Sequence, residues 1–138
     1  MEQSGEEAMR SVMRAVEQHP KLTGKVRMCQ GEQCQSEVER AISDGSILIM
    51  LEPRGGPEPL FRRLYLVRSP ALILCGRHST VSETVKCQRF HDLIEGGSEI
   101  AYTNGLSGKA MEQIFTHVNN FLTRVLEEVG HGDTGQVL

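Results

Sequence analysis

Four cysteines and five histidines carry most of the reactive chemistry open to this chain. Cys29 and Cys34 bracket the segment CQGEQC. A thiolate there could act as a nucleophile, since thiol reactivity rises at a helix N-terminus or beside a cation. Cys75-x2-His78 followed by Cys87-x3-His91 offers four nitrogen and sulfur donors, the number and type that a tetrahedral zinc site takes. Cys29, Cys34, Cys75 and His78 form a second set, should the fold bring them to one edge. A third segment, Asn104 to Ala110 (NGLSGKA), has the look of a phosphate-binding turn. Its glycines are too close together, however, and no serine or threonine follows Lys109 to hold Mg²⁺. No G-x-G-x-x-G or H-E-x-x-H occurs, and His117 sits beside an apolar stripe, where packing is the ordinary role.

The string from Cys29 to Ser36 (CQGEQCQS) resembles the phosphate loop of the low-molecular-weight tyrosine phosphatases, which reads C-x-G-N-x-C-R-S between the first strand and first helix. The resemblance implies Cys29 as the nucleophile, with Cys34 and Ser36 at the family's second cysteine and serine. That chemistry needs a thiolate cradled by backbone amides and an arginine clamping the phosphoryl oxygens. Gln35 stands in place of the arginine and Glu32 in place of the asparagine, and no later Asp-Pro supplies a general acid. The likeness covers about a dozen residues and implies at most a degenerate phosphatase-like enzyme.

Arginine outnumbers lysine eleven to four, a bias that suits interfaces because the guanidinium forms fixed bidentate pairs. Arg62, Arg63, Arg68 and Arg77 cluster in sequence with Phe61 and Tyr65, and Arg54 lies just upstream. This set is the candidate binding surface, in the residue types that dominate protein interfaces. Six aromatics and no tryptophan leave little to stack bases on, so a nucleic-acid partner is not favoured.

The elements that must position these residues follow from periodicity. Ser4 and Glu7 have capping-box spacing, and Met9, Val12, Met13 and Val16 make a helical stripe that ends before Pro20. A strand (KVRMC, 25–29) precedes a helix through Cys34, Val38, Ala41 and Ile42, closed by Asp44-Gly45. SILIML (46–51) and ALILC (71–75) read as strands buried on both faces. Thr80 and Glu83 open a helix carrying Val81, Val85, Leu93 and Ile94, stopped by Gly96-Gly97. EIAYT (99–103) is a further strand. Ser107 caps the longest helix, with Met111, Ile114, Phe115, Val118, Leu122, Val125, Leu126 and Val129 on one stripe. Residues 57–68 fit a helix by period, with an edge strand as the alternative.

Strands separated by helices lie parallel with right-handed crossovers. The expected fold is therefore an α/β three-layer sandwich, a mostly parallel four-stranded sheet with helices on both faces. The alternative is an α+β domain with a hairpin at 60–75. A single domain spans 5–129, with 1–4 and 130–138 as flexible termini. Loops after each strand then gather at one sheet edge, where α/β proteins bind ligands.

Composition narrows the function classes. The chain has 138 residues, is 38% hydrophobic and 24% charged, and carries a net charge of −3, so it has no overall basic field for nucleic acid. The N-terminus does not read as a signal peptide and no apolar run would span a bilayer, so the expectation is a cytoplasmic or nuclear protein, not secreted, with free thiols. No nucleophile–base–orienter set can be assembled. The expected function is thus a non-catalytic interaction subunit or adaptor without a cofactor, binding a protein partner or a second copy, in part through its apolar C-terminal helix. A Cys29 enzyme and a zinc module are the alternatives.

Overall fold

A computed structural model describes residues 2–53, 63–77, 81–105 and 108–137; the side chains of 2–5, 81–84, 86 and 129–137 are outside the description. Among the described residues there are four α-helices and four strands. They are α1 (Glu2–Glu17), β1 (Val26–Gln30), α2 (Cys34–Asp44), β2 (Ile47–Leu51), β3 (Ala71–Gly76), α3 (Val81–Leu93), β4 (Glu99–Thr103) and α4 (Ala110–Val137). The sheet is entirely parallel in the order β1-β2-β3-β4, with Met28 beside Ile49, Met50 beside Ile73 and Ile73 beside Ile100. The α/β expectation holds and the 60–75 hairpin does not form. Leu64–Leu66 is instead a 3-10 turn leading into β3, and residues 57–62 lie outside the described part.

The strand order accounts for the layering. When each strand is laid beside the last in one direction, right-handed crossovers all pass over the same face. Accordingly α2, the Leu64–Val67 turn and α3 share one core with Leu48, Met50, Ala71 and Ile73. The two chain-terminal helices, α1 and α4, cover the other face over Ile47, Ile49, Leu51, Leu72 and Leu74. β2 and β3, apolar at every position but Gly76, are buried along their whole length because both their faces are covered.

The expected stripes mostly turn inward, with Met13 of α1 and Val85 of α3 as the exposed exceptions. On α1 the buried residues are Ala8, Ser11, Val12 and Ala15, and Met13 is exposed. Small side chains let α1 lie close against α4, where Ser11 Oγ donates to the Met111 sulfur at 3.4 Å and the Arg14 guanidinium sits over the Phe115 ring. On α3, Cys87 and Phe90 face inward, as does Ile94 just past its end, and Val85 faces solvent. On α4, Phe121 joins Ile114, Val118, Leu122 and Val125 in the core. As far as Leu126 that stripe packs on the domain's own sheet, and Val129 lies outside the described side chains. Helix bounds also run past the expected boundaries, to Glu2 and Val137, placing Ser4 inside the first helix. Gly45 closes α2 in the left-handed conformation, φ 74°, its amide donating to Ala41 O.

Candidate functional site

All four cysteines are paired, Cys29 with Cys34 and Cys75 with Cys87, across Cα separations of 5.0 and 6.1 Å. The expectation of free thiols is therefore overturned. Each bond ties the end of a strand to the helix that follows, and all four cysteines sit in the core on the α2–α3 face. The pairing has a simple origin. A side chain at the end of a strand on the crossover face looks directly at the returning helix, so cysteines at those two positions fall within bonding reach.

The loop after β1 forms the strand–turn–helix expected of a phosphate cradle, with a different content. Gly31–Gln33 is a 3-10 turn, and the Cys34 amide donates back to Gly31 and Glu32 carbonyls rather than outward. Cys29 is buried and bonded, which removes its thiolate while the bond is intact. Glu32 is exposed at the turn, and Ser36 Oγ donates to Gln33 O at 3.1 Å. Of the candidate zinc ligands, Cys75 and Cys87 are bonded to each other. His91 Nδ1 meets Ser98 Oγ at 2.6 Å, and His78 lies outside the described residues. Among the described residues no group of three or more histidines, cysteines or carboxylates could hold a metal ion.

At the carboxyl edge, β3 leads to a helix on one face and β4 to a helix on the other, the divergence at which α/β sheets open a crevice. Several of the described groups there bond one another. Glu52, buried and with φ 45°, accepts the Gly76 amide on its carboxylate, and its own amide donates to Leu74 O at 2.8 Å. The Arg77 amide donates to Thr103 O at 2.8 Å, Thr103 Oγ1 to Gly105 O at 2.7 Å, and the Asn104 amide to Gln113 Oε1 at 2.8 Å. The sequence places Glu52 at this edge, at the start of the loop after β2, without indicating its bond to Gly76. The turn from Asn104 gave no better signal than its glycines, and residues 106 and 107 lie outside the description.

The arginine-rich segment divides. Phe61 and Arg62 lie outside the described residues. Arg63, Tyr65 and Arg68 are exposed together on the β2–β3 crossover, with Tyr65 45% accessible. Leu64 and Val67, both fully buried, pin that turn to the core, and the Val67 amide closes it on Leu64 O at 3.1 Å. Arg63 pairs with Glu39 of α2 at 3.0 Å. Arg68 borders a cleft of about 320 Å³ at the amino edge, lined also by Pro70, Ala71, Gly96 to Ser98, Phe121 and Val125. Across it Arg124 pairs with Glu99, with Glu128 alongside. Arg77 is not part of this surface. It stands at the far end of β3, at least the length of a six-residue strand away from Arg68, about 20 Å.

Comparison with protein-family models, with curated proteins and with solved structures found no match to this chain.

Proposed function

We propose that the protein is a non-catalytic interaction subunit that engages an acidic segment of a protein partner through Arg63, Tyr65 and Arg68. The observation carrying this reading is the pinned turn. An exposed tyrosine flanked by two arginines is held between two buried anchors, so its presentation costs little ordering entropy on binding. Tyrosine and arginine are the residue types that concentrate binding energy. Arg68 has no ion pair among the described residues, which leaves it available to a carboxylate. The adjoining cleft would seat a side chain of the partner.

Support also comes from what the thiols do. A Cys29 nucleophile and a Cys75/Cys87 zinc site both need sulfur atoms that are here bonded to sulfur. Disulfides persist in oxidising surroundings, so the pairing pulls against a cytoplasmic or nuclear residence.

Affinity capture with covalent cross-linking tests the reading. Wild type and the Tyr65→Ala/Arg68→Glu double variant are compared, with Arg10→Glu on the exposed face of α1 as a charge control. Specific partners lost in the double variant, retained in the control and weakened by salt are expected. Partners that persist in the double variant would refute the surface. Hydrolysis of an aryl phosphate by reduced protein, abolished by Cys29→Ser, would refute the non-catalytic reading.

A further inference from the structure

Among the described residues both outer strands leave one side of the sheet unpaired, and the two edges differ in chemistry. Along a strand, the backbone groups of successive residues point alternately to one side and the other. The Arg77 amide bonds Thr103 O, so Thr103, Ala101 and Glu99 turn their backbone groups toward β3. Those of Ile100 and Tyr102 therefore point away from the sheet. One residue beyond β4, the outward Asn104 amide is taken by Gln113, which closes the open ladder at that end.

At the other edge the Ile47 amide bonds Lys25 O, so Val26, Met28 and Gln30 face outward. That strand carries Arg27 in its middle, tied to Glu37 at 3.3 Å and to Asp44. A charge in the middle of an edge strand is a common device against strand addition. β4 has no such guard. Between Glu99 and Thr103 it holds only Ile100, Ala101 and Tyr102, each half-buried, and Glu99 is drawn back onto Arg124 of α4.

We propose that β4 pairs antiparallel with β4 of a second copy, about a two-fold axis at Ala101, to make one continuous eight-stranded sheet. In this register Ile100 lies opposite the partner's Tyr102, and both residues have outward backbone groups. Each such pair exchanges two hydrogen bonds, and the symmetry doubles them. Within β4 this is the register in which both outward residues of each strand find an outward residue opposite. Side chains agree with it. A β-branched residue meets an aromatic on the α3 face, the small alanines meet at the axis on the α4 face, and Glu99 meets threonine rather than another carboxylate. An axis at Glu99 would oppose like charges. The contact is isologous and closes on itself, leaving the two Arg27-guarded strands as the outer edges, so growth stops at two copies. The inference rests on the phase of the strand and not on the crossover surface, so Tyr65→Ala/Arg68→Glu leaves the pairing intact.

An engineered cross-link reads the register directly. At a non-hydrogen-bonded antiparallel pair the Cα atoms lie about 4.5 Å apart, within reach of a disulfide. Ala101→Cys is expected to give a covalent dimer on mild oxidation, while Met13→Cys, which adds an exposed thiol on α1, does not. In wild type, the Ile100 and Tyr102 amides should exchange with solvent about tenfold more slowly at high than at low micromolar concentration, with Met28 unchanged. Sedimentation should show the mass rising from 15.3 kDa toward twice that value over the same range. A mass that stays at 15.3 kDa, or equal cross-linking of the two cysteine variants, would overturn the proposal whether or not a heterologous partner is captured.

Discussion

Reducing the two disulfides should cost this domain a large share of its stability. Closing a loop restricts the unfolded chain, and the effect grows with the logarithm of loop length. With separations of 5 and 12 residues, the chain-entropy relation assigns about 2 kcal/mol to Cys29–Cys34 and about 3 kcal/mol to Cys75–Cys87. Together these approach the lower end of the roughly 5–15 kcal/mol by which domains are stable. The thiols left behind are buried among apolar neighbours, so reduction brings no solvation to offset the loss. The assay is a urea melt of oxidised and reduced protein with thiol alkylation followed by intact mass. The oxidised chain should take up no alkylating reagent when unfolded without reductant. Its midpoint should exceed that of the reduced chain, and selective loss of Cys75–Cys87 should cost more than loss of Cys29–Cys34. In heating experiments each kcal/mol corresponds to about 4 °C in a domain of this size. Four labelled thiols in the oxidised sample would refute the pairing. Coincident melts would refute the stabilising role assigned to it.

Phe90 and Phe121 are buried in separate cores on opposite faces of the sheet. Either substitution to alanine should lower the unfolding free energy by about 3–5 kcal/mol, and the double variant should be additive within about 0.5 kcal/mol, measured by denaturant melts. Gly96→Ala would put a methyl 2.9 Å from Val67 O and 3.3 Å from Arg68 Cα, both backbone atoms. Overpacking of this kind should cost about 1–3 kcal/mol by the same measurement and shift the amide signals of residues lining the cleft. The Arg27 guanidinium, helped by Ser46, holds the Asp44 carboxyl well below its ordinary value of 3.8. A depressed acid stabilises the fold above that ordinary value and loses the contribution as pH falls toward the folded one. Wild type should therefore lose more in its urea midpoint between pH 5 and pH 2.5 than Asp44→Asn does. Equal acid sensitivity would show that the pair is fully screened at this exposed site.

The chain's one-dimensional pattern determined the elements and their class. Uninterrupted apolar runs at 47–51 and 71–75, short and bounded by turn residues, point to strands covered on both faces, and helices between strands favour a parallel sheet over the 60–75 hairpin. Those inferences need nothing beyond local periodicity and chain connectivity. Periodicity also placed the four strand-end loops at one edge. It found the inward faces but missed some of their members, because large apolar residues signal a stripe more loudly than small ones. Ala8, Ser11 and Ala15 form the tight face of α1 while Met13 stays outside, and Phe90 rather than Val85 enters the core from α3. Likewise the pattern put Glu52 at the sheet edge but not its buried contact with Gly76, which joins residues 24 positions apart.

The tertiary structure alone decided the fate of the reactive residues. Sequence spacing left Cys29, Cys34, Cys75 and Cys87 open to nucleophilic, metal-binding or idle roles. Pairing depends on the distance and direction between a strand end and its returning helix, which no linear pattern encodes. Strand order, in turn, decided that the crossovers share a face, that the C-terminal stripe packs on the domain's own sheet as far as Leu126, and that Arg68 and Arg77 stand at opposite ends of one strand. It also decided which edges remain open and which of their backbone groups look outward. Those are relations between distant segments, set by how the layers close over a common sheet.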